Sequence, residues 1–459
     1  MRRAHLLLAG LATVAGAAVF MGGGGGGSDR AAEARIVGLP LGQPPAHEIA
    51  AFANLAQQPA VTLPSPATRT PTPTPTPAVP ATHVEPTLDL DKITRDGDRY
   101  IAVLGDGRTA VLTLDPELQR LAEQLLDQSR APRGAIVAMA PDGRILALAG
   151  RRTEATKGAR EGTFDWRLAT EVWAPAASVF KLVTASALVT AGVDPQDKVC
   201  YHGGIRSVTE RNLRDDKRDS RCESLAYGVA HSNNAILGKL AFQKLQPKSL
   251  EAEAKLLGWT NPLPGLKGIS GELAIPPAHD LDFAKAAAGF TTGDGGGAKL
   301  SVIGGAVLAA TFADDGEQPT PRLIASIDGV AQPAPPRRRA IDASVARSVA
   351  RMMVQACDDG SAAKSFGKGR PQRVAGKTGT LNVTEPFFME HSWFVGFAPA
   401  AKPEIIVSVL LGNSANWHLR GHEAARRMID RATTANRREK DPTVISVKRL
   451  HTKTSRNQW

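Results

Sequence analysis

Apolar residues recur with a helical period in several parts of the chain beyond residue 88. Between Leu118 and Leu126 they fall on one helix face, and Asp115 followed by Pro116 is typical of a helix start. A second helix is predicted from about 422 to 435. A long Ala- and Leu-rich segment lies between these two regions, and its composition predicts that it is mostly helical.

Other apolar segments have the pattern of strands. Asp106-Gly107 and Asp142-Gly143 each separate two apolar runs and predict a hairpin with a two-residue turn. Residues 393–397 and 404–411 predict two further strands near the other end of the body. We therefore expect strands from both ends to pair in one antiparallel sheet, with a helical lobe inserted between them. That is an α+β architecture, and a cleft between sheet and lobe is the expected place for a site.

The N-terminal residues 1–27 read as a targeting segment. Arg2 and Arg3 precede an apolar run over residues 6–21, which fits either a cleaved signal peptide or a single-span anchor. No clean cleavage site follows directly, so the anchor is favoured. Either form would export the body and place it in the cell envelope, on the periplasmic side of the inner membrane.

A tether and a basic tail flank the predicted body. Residues 28–90 show little apolar periodicity, and prolines recur between 59 and 86, which favours extended polyproline II over helix or sheet. We interpret 28–90 as a disordered Pro/Thr-rich linker, 91–436 as the folded domain and 437–459 as a basic disordered tail.

Composition and charge narrow the function. The chain has 459 residues and a net charge of +11, but residues 437–459 hold seven Lys/Arg and two Asp/Glu, a net +5, which leaves about +6 on the rest. Aromatic residues make up only 5%, so a stacking platform for single-stranded nucleic acid is not expected. Three cysteines exclude a multi-cysteine zinc module, and no His, Cys, Asp or Glu grouping has metal-ligand spacing. We expect no nucleic acid, metal or cofactor.

The first candidate for chemistry is Ser178-Val-Phe-Lys181, at the start of a helical pattern. Serine and lysine three residues apart share a helix face, and a desolvated lysine can take the proton of a serine hydroxyl. The spacing alone is weak evidence, because Ser361-Ala-Ala-Lys364 has it too.

The second candidate is Ser232-Asn233-Asn234, in a predicted turn between helices. A hydroxyl and an amide two residues apart could relay a proton and hold a substrate carbonyl. The pattern is also weak by itself, because serine and asparagine are common turn formers and the chain contains other Ser-x-Asn triplets.

The third candidate, Lys377-Thr378-Gly379, precedes the strand predicted at 393–397. Lysine would supply positive potential, threonine could bind a carboxylate, and glycine would let a ligand lie along the strand. The backbone N–H of Thr380 would point into the same cleft.

The three motifs together, in this order, resemble the penicillin-interacting serine enzymes. Residues 110–412 are similar to the transpeptidase domain of penicillin-binding proteins. The stretches that carry the likeness include Leu114–Gln119, Gly134–Ala138, Ser178–Lys181, Ser232–Ala235, Gly360–Ala362, Val374–Thr380 and Trp393–Pro399. The resemblance implies a β-lactamase/transpeptidase-like α+β fold, with an antiparallel five-stranded sheet flanked by helices.

The resemblance also implies a peptidoglycan D,D-transpeptidase. Ser178 would attack a stem peptide, Lys181 would be its base, and Ser232 would relay a proton to the leaving group. The substrate would be held by Asn234, Lys377, Thr378, Gly379 and Thr380. β-Lactams would acylate the same serine, and a separate membrane glycosyltransferase would be a partner.

Two alternatives stay open at this stage. Water could replace the acceptor amine, which would make the protein a D,D-carboxypeptidase or a β-lactamase-like hydrolase. A non-catalytic cell-wall binding or scaffold protein is the alternative of another class. The sequence also departs from the family in two ways: Ala174-Pro-Ala-Ala-Ser178 stands where Pro-Gly-Ser often precedes the nucleophile, and the N-terminal pedestal is reduced to about residues 88–115.

The remaining polar candidates favour structural roles. Cys200 and Cys222 bracket a charged insert, and an oxidising location makes a disulfide between them plausible. Cys357 is expected to be a buried free thiol. His231 and His391 neighbour motif residues, and we expect them to be packed or solvated rather than catalytic.

Overall fold

A computed structural model describes residues 86–153, 164–293, 296–367, 369–384 and 387–440. The predicted targeting segment 1–27, nearly all of the predicted linker and residues 441–459 lie outside this part of the chain. None of the described helices combines the length and apolar composition needed to cross a bilayer.

The elements follow one another in a mixed order, and strands and helices are numbered along the chain. The strands are β1 (Ile93–Asp96), β2 (Arg99–Val103), β3 (Thr109–Leu112), β4 (Arg133–Met139), β5 (Ile145–Arg152), β6 (Lys198–Tyr201), β7 (Arg221–Ser224), β8 (Gly271–Ala274), β9 (Gly297–Leu300), β10 (Glu317–Gln318), β11 (Ile324–Ile327), β12 (Val330–Ala331), β13 (Arg338–Arg339), β14 (Ala375–Val383), β15 (Met389–Ala398) and β16 (Ile405–Asn413).

The helices are α1 (Pro116–Ser129), α2 (Lys181–Thr190), α3 (Leu225–Ala230), α4 (Asn234–Lys244), α5 (Pro247–Leu256), α6 (Leu281–Ala287), α7 (Val302–Ala313), α8 (Ala343–Asp358), α9 (Ala363–Phe366) and α10 (Gly421–Lys440). Short 3-10 turns include one over Ala177–Val179, directly before α2. The Asp115 carboxylate accepts the backbone N–H groups of Glu117 and Leu118, which is the helix start that the sequence predicts.

The main sheet has five antiparallel strands in the order β14-β15-β16-β4-β5. Strands from both ends of the domain therefore pair, as predicted. The interior strands read as continuous apolar runs because helices cover both faces of the sheet. Helices α1 and α10 pack on one face, while α7 and α8 pack on the other.

The helical lobe is formed by residues between β5 and β14. Its central helix, α2, is buried along nearly its whole length, including polar residues such as Lys181 and Thr184. The 3-10 turn that leads into α2 packs against β14, the edge strand of the main sheet.

The sequence predicted only one hairpin of a second five-stranded sheet. The predicted hairpin around Asp106-Gly107 forms as β2 and β3, but β11 and β12 extend its sheet in the order β1-β2-β3-β11-β12. The Asp328 carboxylate accepts the N–H of Thr109 at 2.9 Å and ties the two segments together. The sequence assigned this region to the helical lobe, because strands of two to four residues carry too little periodicity to be recognised.

Helix α10 runs to Lys440, beyond the predicted end at 435 and past the expected domain boundary at 436. Its final turn consists of Arg437, Arg438, Glu439 and Lys440, all of which are good helix formers. The prediction of a disordered tail from residue 437 was based on the clustered charge. It is wrong for residues 437–440, because their helix propensity extends α10.

Candidate active site

The candidate nucleophile, Ser178, lies in the 3-10 turn that leads into α2. The preceding residue, Ala177, has φ +49°, in the left-handed region where glycine has no steric penalty and other residues pay roughly 1 kcal/mol. The turn therefore forms without the glycine of the Pro-Gly-Ser pattern. Behind it, Gly289 has φ +88°, and a Cβ there would lie 2.3 Å from the Ala177 carbonyl oxygen. A side chain at Gly289 would therefore collide with the backbone of the nucleophile turn.

Lys181 is completely buried, and its amine lies beside the candidate nucleophile. Its Nζ is 2.7 Å from Ser178 Oγ and donates to the Ala288 carbonyl oxygen, also at 2.7 Å. Burial, and secondarily the charge of Lys377, hold the pKa of Lys181 well below its usual range. A neutral amine at this distance can accept the proton of the serine hydroxyl.

Lys377 and Ser232 are in direct contact, although 145 residues separate them. The Lys377 Nζ donates to Ser232 Oγ at 3.0 Å and to the Thr378 carbonyl oxygen at 2.9 Å. Burial lowers the pKa of Lys377 to about 7, so part of its charge is present at neutral pH. Ser232 has φ +56°, which belongs to the tight turn between α3 and α4.

The hydroxyl of Thr378 is held by Ser361, which was not among the predicted site residues. The Thr378 Oγ1 donates to Ser361 Oγ at 2.7 Å, and the Ser361 N–H donates to the Ala230 carbonyl oxygen at 2.9 Å. Ala230 closes α3, directly before the turn with Ser232. Ser361 therefore joins two motif-bearing elements. Gly360-Ser-Ala was visible as one of the family-like stretches, but its partners were not.

The other predicted substrate-binding residues surround these contacts. The Asn234 amide donates to the Arg206 carbonyl oxygen at 2.9 Å. Gly379 is buried against the nucleophile turn, where an added Cβ would lie 3.2 Å from the Ala176 carbonyl oxygen. Thr380 is exposed on β14, the edge strand of the main sheet. Hydrogen bonds thus link Ser178 with Lys181, and Ser232 with Lys377, while Asn234 is bonded to a neighbouring loop.

Comparison with known proteins gives the family. A family model described as the penicillin binding protein transpeptidase domain matches residues 134–430, which is more than half of the chain. The chain belongs to the penicillin-binding protein transpeptidase family. The match confirms the predicted family and the predicted class of serine transpeptidase.

Individual relatives are more distant. The chain is 26% identical over 357 residues to the peptidoglycan D,D-transpeptidase PbpA of Mycolicibacterium smegmatis, covering 70% of this chain and 71% of PbpA. It is 27% identical to the penicillin-binding protein PbpB of Mycobacterium tuberculosis, covering 70% of this chain and 50% of PbpB.

Solved structures confirm the predicted α+β fold. The D,D-transpeptidase domain of a peptidoglycan glycosyltransferase from Eggerthella lenta superposes with a TM-score of 0.57 at 24% identity, covering 72% of this chain and 84% of that one. Penicillin-binding protein A of M. tuberculosis, solved as a ceftriaxone acyl-enzyme complex, gives 0.54 at 23% identity, covering 71% and 80%.

The remaining polar candidates have structural surroundings. Cys200 and Cys222 form a disulfide, and Cys357 is a buried free thiol whose pKa burial raises. His391 is buried beside Trp173, and burial lowers its pKa to about 4, so the ring is neutral at physiological pH. His231 packs against Tyr227 with ring centroids 4.1 Å apart. No group of acidic, His or Cys residues suited to a metal ion occurs among the described residues.

Proposed function

We propose that this chain cross-links peptidoglycan stem peptides through an acyl-enzyme on Ser178, and that β-lactams acylate the same hydroxyl. The observation that carries the proposal is the 2.7 Å approach of a fully buried, pKa-depressed Lys181 amine to Ser178 Oγ. The Ser-x-x-Lys spacing also occurs by chance in this chain, at Ser361 and Lys364. The burial of Lys181 and its contact with Ser178 are what support its role as the base.

The first half-reaction follows from these contacts. Ser178 Oγ attacks the carbonyl carbon of the penultimate D-Ala while Lys181 Nζ accepts its proton. The backbone N–H groups of Ser178 and Thr380 stabilise the oxyanion. When the C–N bond breaks, Ser232 relays the proton held by Lys181 to the departing D-Ala amine, and an ester to Ser178 remains.

The second half-reaction reverses the proton movements. An amine of a neighbouring stem peptide attacks the ester and passes a proton through Ser232 to Lys181, the new amide forms, and Ser178 Oγ leaves and is reprotonated from Lys181. Asn234 holds the amide of the donor peptide. During the first half-reaction, before D-Ala leaves, Lys377, Thr378 and Thr380 hold the terminal carboxylate of the donor peptide, and Gly379 leaves room for the peptide beside the strand.

The charge of Lys377 predicts how acylation depends on pH. Because its pKa is about 7, raising the pH through 7 removes the positive charge that attracts the substrate carboxylate. We expect the second-order rate constant for acylation by benzylpenicillin to fall by about tenfold between pH 7 and 9.

The matched variant is Lys377→Arg, because arginine stays charged throughout this range. Whatever its rate at pH 6, its profile from pH 7 to 9 should be flat. If the variant shows the same decline as the wild type, the titrating group is not Lys377.

Transfer to an amine, rather than to water, is the direct test of the proposed reaction. The full chain is incubated with a peptide ending in D-Ala–D-Ala and rising concentrations of an amine acceptor. We expect D-Ala release, with an increasing share of ligated peptide measured by mass spectrometry. Hydrolysis alone at every acceptor concentration would replace the proposal with a carboxypeptidase. Absence of acylation by both peptide and penicillin would leave a binding or scaffold role.

The place of action follows from the substrate. Peptidoglycan belongs to the cell envelope, so the domain acts there. We further propose that residues 1–27 anchor the chain in the inner membrane, that 28–90 tether the domain on the periplasmic side, and that a separate membrane glycosyltransferase supplies the glycan strands. The basis for these finer statements is the sequence pattern of the N-terminal segments.

A further inference from the structure

A disulfide closes a polar insert in the helical lobe, between α2 and α3. Cys200 on β6 and Cys222 on β7 lie directly opposite each other in the two-stranded ladder and are covalently joined. The residues between them, 201–221, are called the insert here. Its position in the chain is just before α3 and the turn with Ser232.

A buried ion pair docks the insert on α4. Lys239 of α4 has no exposed surface, and its Nζ donates to the Asp219 carboxylate at 2.6 Å and to the Cys200 carbonyl oxygen at 2.8 Å. His202 Nδ1 lies 2.6 Å from the second carboxylate oxygen of Asp219. A buried lysine is costly unless it is paired, so α4 and the insert hold each other in one arrangement.

Apolar packing adds a second contact between the insert and the lobe. Val208 of the insert faces Gly238 of α4 so closely that a Cβ at Gly238 would lie 2.9 Å from the valine. Val208 and Leu213 are buried with Ala284 of α6 and with Ala288, which directly follows α6. The insert is therefore seated against the helix that begins with Asn234.

The tip of the insert contacts Asn234 itself. The Ile205 carbonyl oxygen accepts the Asn234 backbone N–H at 2.8 Å, and the Arg206 carbonyl oxygen accepts the side-chain N–H at 2.9 Å. A carboxamide nitrogen carries two N–H groups. The bond to Arg206 uses one and fixes which end of the amide faces the insert, so the other N–H is left for a ligand.

We propose that the disulfide-closed insert is a positioning element that orients the Asn234 carboxamide toward the amide of the donor substrate. The insert acts through Asn234 and does not itself touch the reacting atoms. This inference rests on the proposed function, because it gives Asn234 the role of binding the amide next to the bond that Ser178 attacks.

Two β-lactams distinguish this role from a general effect on the fold. Benzylpenicillin carries a side-chain amide, whereas 6-aminopenicillanic acid has the same reactive ring and carboxylate without that amide. The measured quantity is the second-order rate constant for acylation of the full chain by benzylpenicillin, divided by that for 6-aminopenicillanic acid. The main variant is Cys200→Ser combined with Cys222→Ser. Val208→Ala is a milder second variant, and Arg211→Ala, which alters an exposed side chain of the insert, is the control.

We expect this ratio to fall by about three- to tenfold in the double cysteine variant and in Val208→Ala. A change of that size corresponds to the loss of one hydrogen bond. Asn234→Ala should lower the ratio similarly, and adding the cysteine replacements to Asn234→Ala should lower it no further. Arg211→Ala should leave it unchanged. If the cysteine variant does not fold, the Val208→Ala ratio decides.

Equal slowing with both compounds, or an additive effect in the combined variant, would show that the insert only supports the fold. That result is separate from failure of the proposed function, in which the unmodified chain would be acylated by neither compound.

Discussion

Replacing Ser178 with alanine is expected to abolish the covalent adduct with penicillin and to lower transpeptidation by at least about 10⁴-fold. In the proposed reaction Ser178 supplies the oxygen of the acyl-enzyme, and its Oγ lies 2.7 Å from the Lys181 amine. Incubation with a fluorescent penicillin followed by intact-mass measurement detects the adduct directly. The small volume of alanine and its position in an already formed turn should leave the fold unchanged.

The chain provides its own matched control for this experiment. Ser361-Ala-Ala-Lys364 has the same spacing, but Ser361 bonds to the Thr378 hydroxyl and Lys364 is exposed. Ser361→Ala should acylate more slowly, because Thr378 loses its partner, and yet reach one adduct per chain. An adduct that persists in Ser178→Ala, or is lost only in Ser361→Ala, would assign the nucleophile elsewhere.

Replacing Lys181 with methionine is the second change with a large expected effect. We expect the rate constant for acylation to fall by about 10³- to 10⁴-fold, because Ser178 loses the group that takes its proton. Methionine fills a buried site without a charge, so the packing around α2 should be retained. Stopped-flow or quenched labelling with benzylpenicillin measures the rate, and thermal unfolding verifies the fold.

Lys364→Met is the corresponding control, because it removes an exposed lysine from the other Ser-x-x-Lys pair. Its acylation rate should equal that of the wild type. If Lys181→Met acylates at the wild-type rate while remaining folded, another group must act as the base for Ser178.

Much of the main domain could be predicted from the sequence because the signals are local. The Asp115 cap, the Asp106-Gly107 and Asp142-Gly143 turns, and the apolar runs at 393–397 and 404–411 each reflect interactions within a few residues. Together with the order of the three motifs, they predicted the main sheet and the family. The extra strands β11 and β12 were missed, because β11 pairs with β3 over a long sequence separation and β12, which pairs with β11, has only two residues.

In the candidate site, as in the fold, some features are predicted by the sequence and others are visible only in the tertiary structure. The spacing of Ser178 and Lys181 placed them one turn apart, but it did so equally for Ser361 and Lys364. Only the tertiary structure distinguishes the pairs: one lysine is completely buried and has a depressed pKa, and the other is exposed.

The contacts that complete the site are likewise tertiary. Ser232 meets Lys377 across 145 residues, Ser361 holds Thr378, and the insert holds Asn234. The sequence by itself determined which chemical groups are present and which lie within one turn of each other, since backbone geometry sets such distances. Desolvation and long-range contacts depend on how the sheet and the lobe pack, and they decide which serine has a buried lysine of depressed pKa beside it.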